Sequence, residues 1–78
     1  MQRQDVVRLL RAAADEGTGT ADLVRLLRSQ PEFSAEVIRH ANSSAYRFAG
    51  KIKTLDQAVP LLGAQTIQTL VLAAVRRS

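Results

Sequence analysis

The chain has 78 residues, enough for one domain with little interior to bury, and we expect a single domain over residues 1–78. Hydrophobic residues make up 46% of it, which is typical of a folded domain and argues against a disordered chain. Cysteine is absent, which excludes disulfides, thiolate metal sites and a cysteine nucleophile. The net charge of +4 permits contact with nucleic acid, acidic partners or anionic membranes without choosing among them.

No segment of the sequence is typical of a secreted or membrane protein. The first residues lack the basic-then-apolar layout of a signal peptide. The longest apolar run, 70–75, is too short to cross a bilayer. We therefore expect a cytoplasmic protein that does not bind or span a membrane.

Hydrophobic periodicity predicts five short helices. Apolar residues recur at helical spacing over about 5–14, 20–30, 35–45, 55–62 and 65–77. Ala and Leu, which are good helix formers, supply much of the apolar content. The sequence therefore predicts an all-α fold, a compact bundle of about five short helices.

The second and third helices carry start and stop signals. Thr20 and Ser34 are predicted to cap them by accepting from the free N–H groups of the first turn. Phe33 and Ile38 have the spacing of a hydrophobic staple around that second cap. Pro31 is expected to close the second helix, because the residue before a proline leaves helical geometry.

The fourth helix has signals at both ends. Thr54 and Gln57 have the spacing of a capping box. In this motif the Thr54 hydroxyl accepts from the backbone N–H of Gln57, and the side-chain amide of Gln57 accepts from the backbone N–H of Thr54. Gly63 is expected to end this helix in a conformation with positive φ.

The fifth helix is apolar almost all round. Residues 70–75 are an unbroken apolar run, and another apolar residue lies one turn before it. Such a helix is either central or covered by something else. We therefore predict that a protein partner, or a second copy in a homodimer, contacts Ile67, Leu70, Val71, Leu72 and Val75.

A basic segment with Gly50 as its pivot separates the third and fourth helices. The candidate contacts for an anion or nucleic acid are Arg39, His40, Arg47, Lys51 and Lys53. Tyr46 and Phe48 interleave with them, and such a mixture can bind nucleic acid by phosphate pairing and stacking. The alternative, which we favour, is that both rings pack into the core and anchor the loop there, since a small domain needs its few aromatic side chains in the interior.

The residues needed for catalysis are scarce. His40 is the only histidine, and Glu36, four residues before it, adds at most a second metal ligand. No base is spaced to activate Ser43 or Ser44. We expect no enzymatic activity, no cofactor or metal, and no small-molecule substrate.

Several short motifs follow one another between residues 22 and 74. They are Gln30-Pro31, Ser34, Ala41-Asn42-Ser43, Tyr46 to Gly50, Ile52-Lys53-Thr54-Leu55, Ala58, Leu61-Leu62-Gly63 and Leu70-Val71-Leu72-Ala73. Each motif is weak alone, but their order is specific. In this order they resemble the N-terminal part of the HDOD family, the HD-related output domain of bacterial signalling proteins.

The resemblance implies an HDOD-like helical fold and a non-catalytic role in signalling or protein interaction. The family is similar in fold to HD-type phosphohydrolases but generally lacks their metal-binding His-Asp pair, and here Ala41 follows His40. The family domain is longer than this chain, and its further helices would cover the fifth helix. The resemblance thus also implies a partner or self-association there.

Two other functions are kept as alternatives. The second and third helices can imitate a helix-turn-helix that binds DNA, with contacts from Glu36, Arg39, His40 and Ser43. The proline and Phe33 in the turn count against this alternative, because such turns are tight and often centred on glycine. A degenerate nucleotide phosphohydrolase is the third function, and it needs a metal site that the sequence does not supply.

Overall fold

The structure is a computed structural model that describes residues 3–15 and 17–77. These residues form five α-helices: α1 Arg3–Ala14, α2 Thr20–Arg28, α3 Pro31–Ala41, α4 Leu55–Leu62 and α5 Ala64–Arg77. A 3₁₀ helix, Ser44–Ala49, lies between α3 and α4, and the described ranges contain no strand. The predicted all-α bundle of about five short helices is confirmed.

All five α-helices contribute to one apolar core. α1 packs against α5 and α2, α4 packs against α2 and α3, and α3 also contacts α5. The largest fully buried side chains are Leu9, Leu27, Val37, Val59, Ile67 and Val71. No polar or charged residue among those described is buried, so the interior is held together by apolar packing.

The third helix begins four residues earlier than predicted. Pro31 is at its start, where a missing N–H costs nothing and the fixed φ of proline suits the helix. Ser34 is therefore inside α3, and its Oγ donates to the carbonyl oxygen of Leu27 in α2. Phe33 is a core residue with 2% exposure. The predicted Ser34 cap and the staple between Phe33 and Ile38 are wrong.

The second helix begins one residue away from its predicted cap. Gly19 is the N-cap residue, with φ −84° and ψ 166°, and Thr20 is already helical, so the prediction that Thr20 caps this helix is wrong. The Oδ2 atom of Asp22 accepts from the Gly19 N–H at 3.4 Å. This bond stabilises the start of α2, because glycine has no side chain with which to cap the helix. The residue before Pro31 has non-helical φ −125° and ψ 83°, as predicted.

Both ends of α4 are as predicted. The Gln57 N–H donates to Thr54 Oγ1 at 3.3 Å, and Gln57 Oε1 accepts in return from the N–H groups of Lys53 and Thr54. Gly63 has φ 84° and follows the last residue of the helix. Its carbonyl oxygen accepts from the Ile67 N–H, so Gly63 both ends α4 and accepts a hydrogen bond from the first turn of α5. The chain turns by 105° between the two helices.

The substitution Gly63→Ala is expected to lower the free energy of unfolding by about 1 to 3 kcal/mol. A β-carbon added at Gly63 meets no atom within 4 Å, so crowding is not the cause. The cost arises from the backbone, because φ 84° with ψ 159° is a region that is essentially restricted to glycine. Urea denaturation followed by circular dichroism measures the loss.

The matched control for this prediction is Gly19→Ala. An added β-carbon there also meets nothing within 4 Å, but φ is −84°, which any residue adopts. We expect a change under about 0.5 kcal/mol, because a poorer N-cap and a less flexible unfolded chain offset one another. Equal losses in the two variants would show that the positive φ is not the cause.

Candidate functional site

The segment between α3 and α4 is closed by the side chain of Asn42. Its Nδ2 donates to the carbonyl oxygen of Ile52 at 2.8 Å, and its Oδ1 accepts from the Ile52 N–H at 2.7 Å. The same Nδ2 donates to the carbonyl oxygen of Ile38 at 2.9 Å, which also accepts from the backbone N–H of Asn42 at 3.2 Å at the end of α3. We call this set of bonds the Asn42 clamp, and it fixes the two ends of the segment that carries the 3₁₀ helix.

The 3₁₀ helix carries two aromatic rings, and one of them contacts the ring of His40. Tyr46 is half-buried against the core, and its ring centre lies 5.8 Å from that of His40, edge-on. Phe48 is 81% exposed, and its ring centre lies 6.5 Å from that of Tyr46. The prediction that both rings enter the core holds in part for Tyr46 and is wrong for Phe48. The 3₁₀ helix buries none of its residues, and Ile52 enters the core from this segment instead.

An open cavity of about 380 Å³ lies beside the 3₁₀ helix. Its wall is formed by Asn42, Ser43, Ser44, Tyr46, Arg47, Gly50 and Lys51. Gly50 has φ 78°, a conformation that favours glycine, in agreement with its predicted role as the pivot of the segment. Of the five predicted anion-binding residues, the cavity brings together Arg47 and Lys51.

The other three predicted anion-binding residues do not line the cavity. His40 is half-buried and contacts the ring of Tyr46. Arg39 donates to both carboxylate oxygens of Glu36 at 2.7 Å. Lys53 is exposed, and its backbone N–H takes part in the capping of α4. Of the five predicted anion-binding residues, two therefore line the cavity and three lie outside its wall.

The basic residues of α2 and α3 differ from those of the 3₁₀ segment in their partners. The ion pairs are Arg25 with Asp22, Arg28 with Asp56, and Arg39 with Glu36. By contrast, Arg47, Lys51 and Lys53 form no ion pair with any side chain that the structure describes. Positive charge near the cavity is thus available to an anionic ligand.

This distribution of charge gives little support to the helix-turn-helix alternative. α3 begins with Pro31 and Glu32, so the end that would enter a DNA groove carries a carboxylate. Of the DNA contacts proposed on α3, Glu36 and His40 are half-buried, and the exposed Arg39 is already paired.

The outer surface of α5 exposes two of the five predicted partner-binding residues. The five are Ile67 at 0% exposure, Leu70 half-buried, Val71 at 1%, Leu72 at 39% and Val75 at 40%. A partner contact by Ile67 or Val71 is wrong, because both side chains lie in the core. Val7 on α1, the helix that packs against α5, is also 40% exposed. We call Val7, Leu72 and Val75 the outer apolar residues.

Two kinds of site are not formed by residues 3–15 and 17–77. No three His, Asp or Glu side chains within them are grouped so that they could hold a metal ion. No single helix there is long and apolar enough to cross a membrane, and α4 and α5 meet that test only as a pair bent by 105°.

The fold and these surfaces define a small all-α domain with two exposed aliphatic side chains on α5 and a basic, aromatic segment. The family model for the HDOD domain matches residues 2–78. The chain therefore belongs to the HDOD domain family, and the match includes α1, which lies outside the resemblance found over 22–74. Neither the curated proteins nor the solved structures contain a significant match to the chain.

Proposed function

We propose that this HDOD domain is a non-catalytic protein-interaction module of bacterial signal transduction that acts in the cytoplasm. We further propose that it self-associates through the outer apolar residues on α5. Membership of the HDOD family supports the signalling role. The exposed aliphatic side chains on α5 support the mode of contact.

The observation that carries this proposal is the exposure of Leu72 and Val75. They lie three residues apart on α5, so their side chains are neighbours along the helix. Among the side chains of this helix that the structure describes, the other exposed positions are polar: Gln65, Thr69 and Arg76. A second copy that covers these side chains removes their apolar surface from water, which favours association. Val7 adds apolar surface on the adjoining helix α1.

The engagement of His40 and Glu36 supports a role in binding rather than in chemistry. These are the residues of α3 with the most evident use in acid–base reactions. His40 packs edge-on against Tyr46, and Glu36 accepts two hydrogen bonds from Arg39. The side chain of His40 thus packs against Tyr46, and that of Glu36 forms an ion pair with Arg39.

Light scattering after size-exclusion chromatography tests the self-association. We expect the mass of the wild-type chain to rise from that of one chain towards that of two as its concentration increases. Leu72→Lys should weaken the dimer by at least about tenfold, because it would bury a charge without a partner. Ala35→Lys, which adds the same charge at an exposed position of α3, should leave the dimer unchanged.

Two results would contradict the proposal. One is a wild-type chain that keeps the mass of a monomer up to millimolar concentration. The other is an equal effect of the two lysine substitutions, which would assign the weakening to net charge rather than to this surface.

A further inference from the structure

The surface around the 3₁₀ helix combines an exposed ring with unpaired positive charge. Phe48 is 81% exposed, whereas the other exposed large hydrophobic side chains that the structure describes reach only 39–40%. A phenyl ring buries a large apolar area when a ligand covers it, and it stacks well on other flat rings. Arg47 and Lys51 flank it in sequence, line the cavity and form no ion pair with any described side chain.

We propose that this surface is a binding site for single-stranded nucleic acid, separate from the self-association through α5. Phe48 stacks on a base, and Arg47 and Lys51 neutralise phosphates of the same strand. The hydroxyl groups of Ser43 and Ser44 in the cavity wall can donate to and accept from sugars and base edges.

The positions of the two rings favour a strand over a single nucleotide. Tyr46 lines the cavity, whereas Phe48 is not part of its wall. Their ring centres are 6.5 Å apart and the ring planes are tilted by 42°. A ligand that uses both rings must therefore extend from the cavity over the 3₁₀ helix, as successive nucleotides of a strand do. The Asn42 clamp holds this segment in place before the ligand arrives, which reduces the entropic cost of binding.

Duplex DNA and acidic peptides also carry the negative charge that this surface favours, but each would use only part of it. Duplex DNA offers phosphates, but its bases are stacked and paired, so no free base face reaches Phe48. An acidic peptide offers carboxylates to Arg47 and Lys51 but no flat ring for stacking. A single strand supplies both a phosphate series and unpaired base faces.

Fluorescence anisotropy with a labelled oligothymidylate of about 12 nucleotides tests the role of the ring. Phe48→Leu, which keeps an apolar side chain without an aromatic face, should weaken binding by about 5- to 150-fold. Phe48→Trp should bind at least as tightly as the wild type, because it retains a stacking surface. Position 48 is 81% exposed, so both variants are expected to fold, and circular dichroism checks this.

Salt titrations test the role of the cations. Replacing Arg47 and Lys51 together by glutamine should reduce the slope of log K against log salt by about 1.4, which corresponds to two lost phosphate contacts on a single strand. The control replaces Arg25 and Arg28 by glutamine, which removes two charges that are paired with carboxylates. This control should leave the salt slope unchanged.

Three results would overturn the proposal. The first is a Phe48→Leu variant that binds the oligonucleotide as tightly as the wild type. The second is equal affinity for the same sequence as a duplex or for polyglutamate, which would assign this surface to general polyanions or acidic peptides. The third is an equal change of salt slope in the control, which would reduce the binding to net charge.

Discussion

Leu27→Ala is expected to lower the free energy of unfolding by about 2 to 5 kcal/mol. Leu27 is 0% exposed and lies on α2, which packs against α1, α3 and α4, so the lost side chain leaves a cavity where several helices meet. A domain of this size is stabilised by only about 4 to 12 kcal/mol. The substitution therefore removes a large share of the total, and each kcal/mol lowers Tm by about 4 to 8 °C.

Leu26→Ala is the matched control for this prediction. It removes the same atoms from the adjacent residue of the same helix, where the side chain is only half-buried. We expect a clearly smaller loss, because less apolar surface returns to water and the surroundings can close over the gap. Urea denaturation of the two variants, compared at one protein concentration, gives the difference. If both cost the same, the burial of Leu27 does not determine its contribution.

Apolar periodicity was sufficient to predict the number and type of the helices. The pattern of α2 selects one face, and the structure buries Leu23, Val24 and Leu27 on it, whereas the run in α5 is apolar almost all round and does not show which side enters the core. The capping box before α4 and the glycine after it were also predictable, because both are local chemistry. These features depend on residues a few positions apart, which a sequence shows directly.

The start of α3 was not predictable, because two local rules compete there. Ser34 is a good cap by type, and Pro31 is a good first helical residue by type. The outcome depends on Leu27, whose carbonyl oxygen at the end of α2 accepts from the Ser34 hydroxyl once α3 begins at the proline. That contact spans seven residues and two helices, so it follows from tertiary packing.

The candidate nucleic-acid surface was only half predictable for a related reason. The basic residues and rings were evident, but not which of them share a cavity or face solvent. Whether Phe48 or Ile52 enters the core is decided by the path of the 3₁₀ segment, and that path is fixed by Asn42. The bonded pair Asn42 and Ile52 is ten residues apart with no periodic signal between.

Asn42→Ala is expected to lower the free energy of unfolding by about 1 to 3 kcal/mol. The substitution removes the partner of both the N–H and the carbonyl oxygen of Ile52, bonds that are partly buried. Ile52 is itself only 7% exposed, so its backbone cannot turn to water without withdrawing its side chain from the core. Ser44→Ala, at an exposed position of the same segment, is the control and should change stability by less than about 0.5 kcal/mol.

Asn42→Asp separates the hydrogen bonds of the clamp from the mere presence of a side chain. The carboxylate still accepts from the Ile52 N–H, but it has no donor for the carbonyl oxygens of Ile38 and Ile52, which repel it. This repulsion raises the pKa of the introduced carboxyl in the folded state above the value of about 3.9 in the unfolded chain. The folded variant then binds protons more readily than the unfolded one, so its deficit relative to the wild type should shrink as the pH falls towards 4. A deficit that is independent of pH would mean that the donated bonds of Asn42 do not hold the segment closed.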